Sequence, residues 1–363
     1  MKAASTSVQR RLNPKLLMVD RRGHIEHRVR SEFANLLRAG DVVIANDAAT
    51  LPASLVGQHS RSGQRIEVRL AARESLDEMR QFSVVVFGEG DFRMRTEDRP
   101  KPPLLHQGDY LMLGPLRGTV VQLLGHPRFI LLRFEGSPRE IWEGLTRHGR
   151  PIQYAHISAP LAIWDTWTPI AGPPVAFEPP SAGFVLDWSM LATMSARGIQ
   201  FGTITHTAGI SSTGDAELDA LLPFDEPYRI PGSTALMINE GRERGARLIA
   251  IGTTVVRALE HAATPDGFVR AGERLATQQI GASSRLRIVD ALLSGTHQRG
   301  TSHYELLRAF IDDETLGRME EELNGRGYLT HEFGDSVFLE RAHRRSTGLF
   351  RRGTDATKLR SVV

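Results

Sequence analysis

The chain has 363 residues, 40% apolar and 24% charged, with 45 Lys plus Arg against 42 Asp plus Glu and no cysteine. That is ordinary for a soluble protein of roughly two domains, and it excludes disulfides, Cys-ligated zinc, iron–sulfur clusters and a thiol nucleophile. The net charge of +3 sits beside a pI of 9.4 because only Lys2, Lys15, Lys101 and Lys358 are lysines and the remaining basic residues are arginines, which stay protonated.

In chain order, Lys15–Asp20 is a short apolar run that turns at Arg22-Gly23 into the alternating segment His24–Val29, a predicted hairpin. Ser31 is placed to cap a helix running to Arg38, with Gly40 as its stop. Asp41–Ala45 reads as a buried strand opening into Asn46-Asp47. From 65 to 138 five strand candidates follow (66–70, 82–87, 110–113, 118–124 and 129–134), separated by Gly, Pro and charged turns, the pattern of a small inserted β-barrel or sandwich. The stretch from Arg150 to Pro180 is rich in Pro and carries Trp164 and Trp167, so it is either an active-site or interface loop or a rigid crossover pinned by its aromatics.

The second half alternates: helix 186–197, strand 199–205, helix 233–244, strand 247–251, helix 255–263, strand 286–290, helices 302–310 and 313–323, and a closing strand 337–339. Residues 341–363 are Arg-rich and predict a disordered basic tail. The expected fold is α/β (mixed α+β): a main domain of 1–64 and 139–340, built on a mixed sheet or open barrel with flanking helices, and an inserted all-β barrel over 65–138. No apolar run approaches the roughly 20 residues that span a bilayer, and Met1–Arg11 lacks the apolar core of a signal peptide, so a cytoplasmic location without membrane contact is expected.

The most suggestive local feature is the turn Gly252-Thr253-Thr254 between a strand and a helix. It aims backbone N–H groups and two hydroxyls at whatever lies before the helix, which suits an anion. The spacing is neither a P-loop nor a dinucleotide fingerprint, and a plain Thr-capped turn remains the other reading. Arg257 and Glu260 follow on one helix face, as an ion pair or as a polar cluster. His206 and His297 each end an element and open a Gly- and hydroxyl-rich loop, where scaffolds carry binding groups. His24 and His27 lack supporting carboxylates, so no metal is expected. Asp312-Asp313-Glu314 suits a helix start, and no Gly-x-Ser-x-Gly elbow appears.

The order of segments resembles the S-adenosylmethionine:tRNA ribosyltransferase-isomerase family of the queuosine pathway. The likeness runs from Leu16 to Leu339 through Leu16–His27, Leu37–Asp47 with Leu51–Gly57, Pro180-Ser181-Ala182-Gly183, Ile249–Glu260, Ile288–Leu293, His297 and Phe333–Ser336. It implies an α/β scaffold with a β-barrel insertion and an enzyme, a transferase and isomerase. That enzyme would move the ribosyl part of S-adenosylmethionine onto a 7-aminomethyl-7-deazaguanine base in tRNA, losing adenine and methionine and rearranging to an epoxycyclopentane. S-adenosylmethionine would be the substrate and tRNA the macromolecular partner, without a metal; monomer and homodimer both stay open.

Carried onto this chain, the resemblance implies catalytic roles for His297 as proton shuttle and for Asp290 or Glu226 as a carboxylate near positive charge on ribose. It implies binding roles for Asn46, Asp47, Ser181, Gly183, His206, Gly252, Thr253, Thr254, Arg257 and Glu260. The departures fall on polar positions. The family's Asn-Asp-Thr-Arg is Asn46-Asp47-Ala48-Ala49, its Pro-Ala-Arg is Pro52-Ala53-Ser54, and its Leu-His-Phe after Gly183 is Phe184-Val185-Leu186. Its His-x-Met-His-x-Glu is Leu221-Leu-Pro-Phe224-Asp-Glu226. Its Phe-His-Leu-Pro-x-Ser-Thr is replaced by Thr296–Ser302, where Arg299, Thr301, Ser302 and His303 crowd one loop as compensating groups. A divergent paralogue is expected, with two alternatives: S-adenosylmethionine binding with another acceptor, or a non-catalytic RNA-binding protein on the same scaffold.

Overall fold

The computed structural model describes residues 1–7 and 13–342; of the expected basic tail, all but Arg341 and Ala342 lies outside the described residues. After β1 (Lys2–Ala3), the predicted hairpin forms from β2 (Lys15–Val19) and β3 (Ile25–Val29), with Gly23 in its turn. Ser31 caps no α-helix. The segment Arg30–Leu36 is a 3₁₀ helix, and Glu32 reaches back to accept the Val29 N–H at 3.1 Å. The next strands are β4 (Val42–Asn46), buried along its whole length, and the short β5 (Ala49–Thr50).

Six strands then close an antiparallel barrel in the order β10-β11-β8-β7-β6-β9: β6 (Ser54–His59), β7 (Arg65–Ala72), β8 (Gln81–Phe87), β9 (Tyr110–Leu113), β10 (Leu116–His126) and β11 (Phe129–Phe134). The insertion therefore begins before residue 65, because β6 is one of its staves. Gly57 lets β6 pass hard against β9: a Cβ there would lie 2.0 Å from the Met112 carbonyl oxygen. Leu55, Val68, Phe82, Val84 and Leu132 fill the interior. A helix absent from the sequence expectations, α1 (Pro138–His148), plugs this core with Ile141 and Leu145. Its start was legible, since Ser137 and Glu140 form a capping box around Pro138 at the first helical position.

Within the Pro-rich stretch, β12 (Pro174–Ala176) pairs parallel with β5, and the Trp167 indole donates to the Thr50 carbonyl at 3.0 Å. That stretch is thus a crossover pinned by an aromatic. Its two ends nevertheless reach the cavity described below.

The remaining elements are α2 (Trp188–Ala196), β13 (Gln200–His206), α3 (Ala216–Asp219), β14 (Glu226–Ile230), α4 (Gly232–Glu243), β15 (Leu248–Ile251), α5 (Thr253–Ala262), β16 (Gly272–Ala276), β17 (Ala291–Gly295), α6 (Ser302–Leu307), α7 (Asp313–Gly325), β18 (Leu329–Thr330) and β19 (Ser336–Glu340). The strand expected over 286–290 is displaced to β17. Leu286, Ile288 and Val289 are buried as a strand's would be. Their backbone is instead held by Glu260, whose carboxylate accepts the N–H groups of Arg287, Ile288 and Val289 at 2.7–3.1 Å. The strands β14 and β16, the last two at one side of the main sheet, were also not expected, because Pro227 breaks the first pattern and Gly272-Glu273-Arg274 hides the second.

Nine strands form one mixed sheet, ordered β16-β14-β13-β4-β15-β17-β19-β2-β3, with β13, β4, β15 and β17 parallel at its centre. Alternate residues of the central strands face opposite helical layers, as in a doubly covered parallel sheet. Val42, Ile44, Leu248 and Ala250 meet α4, α5, α6 and α7 on one side. Val43, Ala45, Ile249 and Ile251 meet the 3₁₀ helix 30–36 and α2 on the other. Among the described residues no helix is long and apolar enough to cross a membrane.

Candidate active site

Open parallel sheets bind ligands beyond the carboxyl ends of their strands, where successive connections diverge. Here β4 is that point, because β13 lies on one side of it and β15 on the other. Beyond these ends lie two adjoining cavities of about 280 and 690 Å³ that share Glu178, Ser181, Gly295, His297 and His303. Together they reach the size expected of a small-molecule site.

Gly252, at φ +102°, turns β15 into α5, and no side chain caps that helix start. The wall of the smaller cavity therefore carries Gly252, Thr253 and Thr254 with their amides at the positive end of a ten-residue helix. Asn46 organises the adjacent strand ends from behind. Its amide donates to the His206 carbonyl at 2.8 Å and its oxygen accepts the His206 N–H at 3.0 Å.

One turn into α5, Arg257 reaches across the cavity wall to the Glu226 carboxylate and also donates to the carbonyls of Phe224, Ala276 and Gln278. Glu226 additionally accepts the Gly209 N–H at 2.7 Å. Burial lifts the Glu226 carboxyl above its ordinary range, and Arg257 limits that rise. His206 is fully buried behind this pair, its Nε2 3.6 Å from Glu226. Burial, followed by the Arg257 charge, keeps that imidazole well below its ordinary value and hence neutral.

The opposite wall comes from the ends of the Pro-rich stretch and the loops around α6. Tyr154 donates to Glu178 at 2.5 Å, within reach of the Ser211 hydroxyl. Burial, reinforced by the nearby Glu332 charge, pushes the Glu178 carboxyl up to about 7. His297 shares a 2.8 Å hydrogen bond with Ser294 and stacks on His303 at 4.8 Å between ring centres. Burial, then the neighbouring His303 and His331, hold His297 well below its ordinary value; burial takes His303 down to about 4. Near neutral pH both are neutral bases beside a carboxyl that titrates close to 7.

Of the residues singled out in the sequence, Ser181, Glu226, Gly252, Thr253, Thr254, Arg257 and His297 line the cavity, with Ser302 and His303 from the crowded loop. Thr301 caps α6 and lines the larger cavity, whereas Arg299 turns outward to Glu320. Others of that set lie elsewhere. Asp290 stands at the other end of β17, roughly 15 Å along the strand from Gly295, where it accepts the Leu248 N–H and pairs with Arg341. Glu260 is consumed by the three amides of 287–289 and makes no pair with Arg257. Asp47 faces away and accepts the Thr203 and Thr205 hydroxyls. Gly183 packs against Thr168, and His206 supports Glu226 without lining the cavity. Phe224, where the family has histidine, stacks on Phe129 of the barrel at 4.5 Å.

Missing from the sequence expectations were Tyr154, His156, Glu178, Ser211, His331 and Glu332, all on the cavity wall. The density of Pro and Trp over 150–180 flagged the first three as a region. Nothing local flags His331 and Glu332, which arrive on the turn between β18 and β19.

Residues 1–339 match the family described as queuosine biosynthesis protein. An S-adenosylmethionine:tRNA ribosyltransferase-isomerase of Thiobacillus denitrificans is 30% identical over 337 residues, 90% of this chain and 91% of that one. One of Gloeobacter violaceus is 28% identical over 340 residues, 93% and 92% respectively. The crystal structure of an S-adenosylmethionine tRNA ribosyltransferase from Thermotoga maritima, 23% identical, covers 93% of this chain and 95% of its own with a TM-score of 0.49. With a family match over nearly its whole length, the chain belongs to the queuosine biosynthesis protein family.

Proposed function

We propose that the chain is an S-adenosylmethionine:tRNA ribosyltransferase-isomerase, the activity its relatives are named for, with a 7-deazaguanine base of the tRNA as acceptor. The observation that carries this reading is the pairing, across one cavity, of an uncapped helix N-terminus with two buried carboxylates. S-adenosylmethionine has a carboxylate at one end and a sulfonium cation at its centre. The amides of Gly252–Thr254 suit the first, and Glu226 and Glu178 suit the second and the positive charge that develops on ribose.

The proton chemistry can be divided among the same residues. His297, neutral and aligned by Ser294, accepts a proton from the ribosyl portion. Glu178, still partly protonated near pH 7, delivers one to the departing adenine. Glu226, fixed by Arg257 and the Gly209 amide, presents its carboxyl group beside the reacting sugar. Asn46 and His206 act as positioning residues.

The test is calorimetric titration with S-adenosylmethionine, followed by incubation with precursor-modified tRNA and chromatography of released adenine. Binding with tRNA-dependent adenine release is expected, falling about 10²-fold or more in His297→Ala. No binding at millimolar ligand would overturn the reading. Binding without adenine release would favour another acceptor, which Phe224 and the exposed Leu221 at the family's histidine positions also suit.

A further inference from the structure

Among the cavity residues without a part in ribosyl transfer, three come together in space. His156 enters from the Pro-rich stretch; His331 and Glu332 enter from the turn before β19. His156 Nε2 lies 3.3 Å from Glu332 Oε2, and one donor atom from each of the three residues falls within 4.8 Å of the others. The two imidazoles stack, with centres 4.5 Å apart, and Tyr154 stacks on the outer face of His156.

The cluster is held in place by its surroundings. His331 adopts φ +69°, a left-handed conformation that side chains rarely occupy. Its carbonyl accepts the Gly334 N–H, and the Asp335 carboxylate ties down the amides of Lys15 and Leu329 on either side. His156 Nε2 has almost no exposed surface and makes no aligned hydrogen bond, only the ionic contact with Glu332. A buried imidazole nitrogen facing a carboxylate, with a second imidazole stacked beside it, brings together the side-chain types of a metal donor set.

The dimensions fit. With metal–ligand bonds of about 2.1 Å, neighbouring donors of a tetrahedral ion lie roughly 3.4 Å apart, close to the His156–Glu332 separation. The His331 ring, now stacked on that of His156, would turn a nitrogen toward the same point. Two imidazoles and one carboxylate suit zinc, iron(II), cobalt or nickel, whereas calcium and magnesium favour oxygen donors throughout. Such a triad leaves coordination positions open, and the three residues line the cavity that also holds Glu178 and His297.

We propose that His156, His331 and Glu332 form a binding site for one divalent first-row transition-metal ion on the wall of the cavity. Sequence spacing gave no sign of it, because the two histidines lie on segments that meet only in the fold. The site does not depend on the ribosyl-transfer reading, and metal binding is measured without turnover.

The full chain, purified without a polyhistidine tag and stripped with chelator, is titrated calorimetrically with zinc chloride and separately with cobalt(II) followed by visible absorption. One equivalent is expected to bind in the micromolar range or tighter, with d–d bands that report nitrogen and oxygen donors. His156→Ala, His331→Ala and Glu332→Gln should each weaken binding by more than the roughly 10–100-fold that loss of a supporting partner costs. His24→Ala, at an exposed histidine, should leave it unchanged. Circular dichroism monitors folding, and His156→Gln and His331→Gln replace any alanine variant that unfolds. Absence of stoichiometric binding in the micromolar range, or binding that survives all three substitutions, would overturn the proposal.

Discussion

Glu178→Gln isolates one buried titration. Burial and the nearby Glu332 raise the Glu178 carboxyl from the ordinary 4.5 to about 7. Between those two pH values the folded chain holds a proton that the unfolded chain has released. Stability therefore falls as pH rises from about 4.5 through 7 and is flat above, and the difference of about 2.5 pH units corresponds to about 3 kcal/mol. Glutamine cannot ionise, so the variant lacks this loss. Its amide still accepts from Tyr154 but replaces a carboxylate oxygen beside Ser211 with a donor, a pH-independent cost of about 1–2 kcal/mol. Glu178→Gln should therefore be less stable than the parent near pH 5 and more stable near pH 8.5. Urea denaturation followed by tryptophan fluorescence across that range reads the difference. Two stability curves that stay parallel would refute the assignment of the titration to Glu178.

Arg257→Met should strand a buried Glu226 and leave three carbonyls without their donor, costing about 3–5 kcal/mol in chemical denaturation; adding Glu226→Gln should recover part of that loss, and a double variant as unstable as the sum of both singles would show the pair uncoupled. Asp290→Asn should leave adenine release within about twofold of the parent while lowering the denaturation midpoint; a fall near 100-fold, the scale of a lost acid or base, would return Asp290 to the catalytic set. Gly252→Ala forces a Cβ onto a φ of +102° and should cost about 1–3 kcal/mol in thermal unfolding while weakening S-adenosylmethionine binding in calorimetry, whereas a neutral effect on both would remove that turn from the site.

The sequence by itself determined the core. Periodicity, glycines and caps are local signals, so the hairpin at Gly23, the barrel strands from 66 to 134, β4, β15 and the turn at Gly252 could all be placed from neighbouring residues. Even the overlooked α1 was written in Ser137-Pro-Arg-Glu140. Tertiary structure decided where buried polar groups point, which depends on partners far along the chain. Glu260 and Asp290 carry the composition of site residues. One is spent on amides that β17 leaves unpaired, and the other faces an arginine at the wrong end of the sheet. Conversely Glu178, Tyr154 and His156 were marked only as part of a Pro- and Trp-rich region, His331 and Glu332 by nothing local, and all five acquire their chemistry only when the crossover and the last turn close over the parallel strands. Burial shifts Glu178 and stacking sets the two histidines side by side, and both belong to the fold as a whole.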